Sequence, residues 1–260
     1  MTGIPGLTGD LILDHAFGLL LVLGRVGATF ALMPGLGEAT VPTQIKGGMI
    51  LMLSLLLLPG LGPLLPPRPD TETAFALMLM AEMANGLWFG WLARAIATSL
   101  PMAGQLISEL IGVSNVLMPS PDLGSQTSAI ARLHEIAVPA LLLTSGLYML
   151  PLAALAGFYR LIPPGTLSWA TDSAELTVAT VSESFMLALR LAAPFVLASV
   201  AWNLAVGLVA RLVPRLQVFF VVSPGQIALG LLLLASLSIP LIGAWMEAMR
   251  ASLASLPGGG

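Results

Sequence analysis

Four stretches of this 260-residue chain, residues 47–67, 136–159, 191–210 and 216–246, contain no Asp, Glu, Lys or Arg. A helix needs about 20 consecutive apolar residues to cross the hydrocarbon core of a bilayer, so each run is long enough on length alone. Only 9% of the residues are charged and 57% are hydrophobic, with a mean hydropathy of +0.96, whereas an ordinary soluble domain carries about 25% charged residues. So little charge could not keep a folded surface dispersed in water. The chain reads as an integral membrane protein. Its runs are long and unbroken rather than short and alternating, which disfavours a strand-built barrel. The expected fold is all-α, with about six or seven apolar, partly broken helices and a long C-terminal helical hairpin.

These segments fall at about 11–33, 45–58, 70–100, 102–118, 127–159, 174–213 and 224–250. The second stops at "PGLGPLLPPRPD", whose prolines cannot continue a helix. Asp70 is placed as the N-cap of the third. Pro139 and Pro151 fall inside the fifth, Pro194 inside the sixth and Pro240 inside the seventh. The loop "RLIPPGTLSWATDSAE" divides the chain into two regions, 1–160 and 161–260, and Asp172 and Glu175 have the spacing of a capping box. The hairpin 174–250 has "RLVPRLQVFFVVSPG" at its tip, where Pro214 stops the outgoing helix and Pro224 opens the returning one. Arg211 and Arg215 make that tip basic, which places it on the cytoplasmic side. Broken helices at membrane depth survive only when buried in protein or lining a cavity, so the chain reads as a subunit packed into a larger assembly. No basic stretch precedes the first apolar segment, and a cleaved leader is not expected.

The few polar residues inside these segments are the candidate sites. Arg25 lies deep in the first; it either snorkels to an interface or meets a neighbouring subunit or a water-filled passage. Glu82, Asn85, Gly86 and Gly90 share one helical stripe, where Gly86 and Gly90 allow close helix packing and Glu82 could instead carry a proton. Asn203, Gly207 and Arg211 lie four apart, a polar, small and basic row suited to a helix–helix interface. His15 and His134 are lone histidines without metal-ligand spacing, and His134 beside Glu135 reads as a helix start.

Several function classes fall away. There is no cysteine, hence no disulfide or thiol chemistry. No nucleophile elbow, zinc-binding His pair, Walker loop or dinucleotide fingerprint occurs, so neither an enzyme nor a cofactor is expected. A net charge of −3, thinly spread, suggests no nucleic-acid partner. A secondary transporter for a small solute also uses broken helices, but its two halves should be similar, and here they differ in length and pattern.

One segment is more specific. "APFVLASVAWNLAVGLVARLVPRLQVFFVVSPGQIALGLLLL" (193–234) resembles the C-terminal signature of the FliR/SctT family, the flagellar export-gate proteins and their injectisome counterparts. The matching positions are Asn203, Gly207, Arg211, Pro214, Phe219, Pro224 and Gly230. Arg25, Pro34, Gly37, Val41, Pro42 and Lys46 resemble the family's N-terminal pattern of an arginine-bearing helix, a Pro-Gly loop and a Val-Pro followed by a basic residue. "AEMANGLWFGWLA" (81–93) resembles its third segment. The chain departs from the family at Pro214, Arg215, Leu216 and Gln217, where Pro-Gln-Leu-Asn is common. The resemblance covers roughly residues 11–250. It implies a structural channel subunit of a type III protein export gate, with a flagellar role preferred to the injectisome one. The partners implied are several P and Q export-gate subunits, the B and A export-gate proteins on the cytoplasmic side, unfolded export substrates and the lipid of the bacterial inner membrane, at the flagellar basal body. Residues 1–160 would resemble a P subunit and 161–260 a Q subunit.

Overall fold

The computed structural model describes residues 5–113, 117–120, 124–167, 171–212 and 218–259, with backbone alone at 5–11, 117–120, 124–126, 171–172, 212 and 218–221. The expected all-α architecture forms. Its helices are α1 (Pro5–Leu32), α2 (Thr43–Leu61, followed by a 3₁₀ turn), α3 (Glu72–Ala97), α4 (Ser99–Ile111), α5 (Ala129–Ser145), α6 (Met149–Leu161), α7 (Thr171–Leu212) and α8 (Val218–Ala254). Five helical stretches are long and apolar enough to cross a membrane, taking α3 and α4 as one, and a sixth arises if α5 and α6 are counted as a single bent span.

Where the helices stop differs in detail from the expectation, and each difference has a local cause. The fourth segment was expected to reach residue 118 but ends at Ile111. Gly112 adopts a left-handed conformation (φ 83°) there, and the Gly112 and Val113 amides close onto the Glu109 and Ser108 carbonyls, a glycine stop. A short antiparallel hairpin follows, β1 (Leu117–Ser120) and β2 (Gly124–Ser128). Thr71, not Asp70, caps α3: its Oγ1 accepts the Ala74 amide at 3.3 Å. The expected 127–159 segment is two helices meeting at 76°. The break is at Gly146 (φ +75°) rather than at either proline. Pro151 lies in the first turn of α6, where a missing N–H deprives no carbonyl, and Pro139 stays inside α5. His134 and Glu135 lie within α5 rather than at its start; His134 is buried and Glu135 pairs with Arg132 at 2.8 Å.

The C-terminal hairpin consists of α7 and α8. Pro224 does not open α8, which begins six residues earlier at Val218 and carries Pro224 and Pro240 internally. Transmembrane helices tolerate such prolines because neighbouring groups satisfy the freed carbonyls. Asp172 lies inside α7 rather than ahead of it. The tip residues Pro214, Arg215 and Gln217 lie outside the described residues, so the tip and its side assignment rest on the sequence.

Two compact units interleave along the chain. One comprises residues 1–95, 142–179 and 251–260; the other 96–141 and 180–250. In the first, Leu21, Val22, Val26, Phe30, Phe89, Leu92, Phe158 and Tyr159 are buried. In the second, Trp245 is fully buried and donates its indole N–H to Ser99 Oγ at 3.1 Å. Gly104 lets α4 run against α5, where a Cβ would stand 3.0 Å from the Ala131 Cα.

Candidate functional site

The first unit contains a charged cluster in the one environment where charge is hardest to place. Arg25 on α1 and Glu82 on α3 are both fully buried and joined by an Nη2–Oε1 contact of 2.8 Å. Burying an ion is unfavourable unless it is paired and hydrogen-bonded, and each supplies what the other lacks. Arg25 also donates from Nη1 to the Ile162 carbonyl at 2.8 Å. Its guanidinium lies 4.2 Å from the Tyr159 ring centroid and 5.3 Å from that of Phe158, a cation–π arrangement on the faces of α6 residues. The Tyr159 hydroxyl in turn donates to the Val22 carbonyl of α1 at 3.4 Å.

The purpose of this chemistry lies in the segment after α6. Residues 162–166 are not helical, yet they sit against residues in the interiors of two membrane-length helices. Backbone polar groups outside a helix and packed against such side chains need partners of their own. Three side chains do this. Arg25 takes the Ile162 carbonyl, Glu82 Oε1 accepts the Gly165 amide at 2.7 Å, and Asn85 Nδ2 donates to the Thr166 carbonyl at 2.8 Å. The Thr166 hydroxyl donates back to Pro163 O at 2.7 Å. Arg25, Glu82 and Asn85 form a polar clamp that seats an irregular loop among α1, α3 and α6.

The clamp depends on α1 and α3 running in near contact. A Cβ on Gly86 would overlap the Arg25 carbonyl oxygen, and one on Gly90 would stand 2.6 Å from the Thr29 carbonyl oxygen. The small-residue stripe is therefore a crossing inside this chain. Arg25 accordingly does not snorkel to an interface: it is buried in its own unit, where Nη1 and Nη2 are bonded and, among the described residues, Nε has no partner. Glu82, read as a packing or proton-carrying residue, is the counter-ion.

A second group closes the far end of α1. Arg94 donates from Nε to the Leu32 carbonyl at 2.9 Å and pairs with Glu38 at 3.1 Å, a cation at the negative end of the helix dipole. Lys46 donates to the Gly37 carbonyl at 2.9 Å, and Pro34 is buried in the same loop. Pro42 is exposed at the N-cap of α2, where its carbonyl accepts the Lys46 amide.

The remaining candidates stand apart. Asn203, Gly207 and Arg211 are exposed on α7. Among the described residues, Asn203 donates only to Ser199 of its own helix, and nothing lies within 4 Å of a Cβ on Gly207. Pro224 is exposed on α8, and Phe219 is described by its backbone alone. Sequence reasoning missed the loop as the partner of the clamp, along with Phe158, Tyr159 and Arg94. A signal was present: two lone, opposite charges in two apolar helices have few partners but each other.

Comparison with known proteins finds matches along most of the chain. The family profile described as bacterial export proteins, family 1, matches residues 16–252. The chain is 35% identical to the flagellar biosynthetic protein FliR of Caulobacter vibrioides, across 83% of this chain and 86% of that one. It is 27% identical to the FliR of Aquifex aeolicus, across 86% of each. Against the Yop proteins translocation protein T of Yersinia pestis it is 27% identical, across 86% of this chain and 87% of the other.

Proposed function

The chain belongs to the bacterial export proteins, family 1, and from that membership we propose its role. It is a structural channel subunit of the flagellar type III protein export gate, passing unfolded flagellar subunits across the inner membrane. The observation that carries this reading is the match from residue 16 to residue 252; the 35% identity to one flagellar protein favours the flagellar system, a second flagellar relative and the translocation protein both standing at 27%. The clamp contributes by fixing α1, α3 and α6 into a rigid frame; it performs no turnover of its own.

The partners are the P and Q export-gate subunits around the channel and the B and A proteins at its cytoplasmic mouth, in the basal body. We propose further that residues 1–160 correspond to a P subunit and the hairpin in 161–260 to a Q subunit, a division by sequence that cuts across the two compact units. The exposed apolar surface of α7 leaves room for such neighbours or for lipid. Phe185, Met186, Leu189, Leu197, Leu204 and Leu208 of α7 are all exposed, a larger apolar face than one soluble chain leaves uncovered. Co-expression with P and Q subunits followed by purification in mild detergent tests the reading. The chain should travel with them and aggregate when expressed alone. A stable, monodisperse monomer, as a solute transporter would give, contradicts it.

A further inference from the structure

At one end of the first unit lies a cavity of about 470 Å³ that neither the clamp nor the export role uses. It is bounded by the start of the α1 span, the end of α2 and the proline-rich connection to α3. Phe17, Leu58 and Leu65 form apolar walls, and α1 is drawn close to that connection at Gly18, where a Cβ would meet Leu65 at 2.6 Å. The lining is mostly apolar, but the exposed residues Asp14, His15 and Arg68 stand on it, Asp14 and Arg68 with opposite charges. Among the described residues neither carries a hydrogen bond or ion pair, with each other or with anything else. The volume is in the range of small-molecule sites, typically about 300–1,000 Å³.

The geometry points to a phospholipid site for an ethanolamine headgroup, with one acyl chain in the apolar cavity. Three membrane-length helices begin or end here, so the cavity opens at the level where headgroups lie. A bare guanidinium offers paired donors that match a phosphate. A bare carboxylate accepts N–H bonds from a primary ammonium. An ethanolamine phospholipid carries both groups a few atoms apart. A phosphatidylglycerol headgroup offers Arg68 the same phosphate but brings no cation to Asp14, and a choline headgroup has no N–H to donate. The opposite charges on the rim thus select a zwitterionic, ammonium-bearing lipid over an anionic one.

The test is native mass spectrometry of the chain within the assembly that it purifies with. The assembly is first exchanged into vesicles of equal phosphatidylethanolamine and phosphatidylglycerol. One phosphatidylethanolamine per copy of this chain should be retained. Arg68→Glu, at an exposed position, should lower that retention about tenfold without changing the yield of the assembly. Leu58→Trp, which fills the cavity, should abolish it. Equal retention of the two lipids, unchanged retention in both variants, or a segment of another chain crosslinking to a photoreactive side chain at position 68 would overturn the assignment.

Discussion

Arg25 and Glu82 show how two charges can be tolerated inside apolar helices: each is the other's counter-ion, and both are spent on a loop backbone. Removing one partner of a buried pair leaves an uncompensated charge, a loss of about 3–5 kcal/mol. Arg25→Met should therefore sharply lower the thermal stability of the purified assembly, and Glu82→Met should do likewise. The double variant should lose clearly less than the sum of the two, because no lone charge remains. Additive losses would mean that the pair does not act as a unit. Each residue was recognisable in the sequence as an anomalous charge. Their pairing was not, because the partners are 57 positions apart and the loop amide 83 from Glu82, whereas helical periodicity reports only on one helix's own face.

At the scale of elements, glycine decided more than proline did. The sequence pattern of Gly86 and Gly90 reads as a close crossing, and the crossing exists, between α3 and α1 of the same chain. Gly86→Leu must push a side chain into the Arg25 carbonyl. Overpacking typically destabilises by about 1–3 kcal/mol, and backbone overlap belongs at the upper end. It should reduce the folded chain recovered from membranes, whereas Leu87→Ala, at a 41% exposed position, should leave recovery close to wild type. Equal recovery would count against the crossing. Gly207 gives the complementary case, because its surroundings among the described residues are open. Gly207→Leu should leave the chain intact while lowering the amount of partner subunits that copurify; undiminished copurification would show that this stripe faces lipid. Helix existence was legible from the apolar runs, but the bend between α5 and α6 was not. Prolines inside α5 and α6 drew attention, while a left-handed glycine at 146 turned the chain. At 1.5 Å per residue, the 42 residues of α7 extend about 63 Å, roughly twice a hydrocarbon core of about 30 Å. Part of that helix must lie outside the hydrocarbon or tilt strongly within it.

For the whole molecule, the distribution of burial matters most. Half of the most apolar stretch of α1 is buried within the chain, against 11% for those of α2, α7 and α8. The outer helices therefore turn most of their apolar surface towards lipid or other subunits. Sequence pattern does not apportion that surface, since lipid tails are as apolar as a leucine side chain, and the partners emerge only through the family. The central claim is that this chain is a required part of a protein-export channel. The most direct measurement is the amount of hook and filament protein appearing outside cells from which the gene has been deleted. Export should fall to background and return when the wild-type chain is supplied. Normal export from the deletion strain, or lost uptake of a small solute with export intact, would contradict the account.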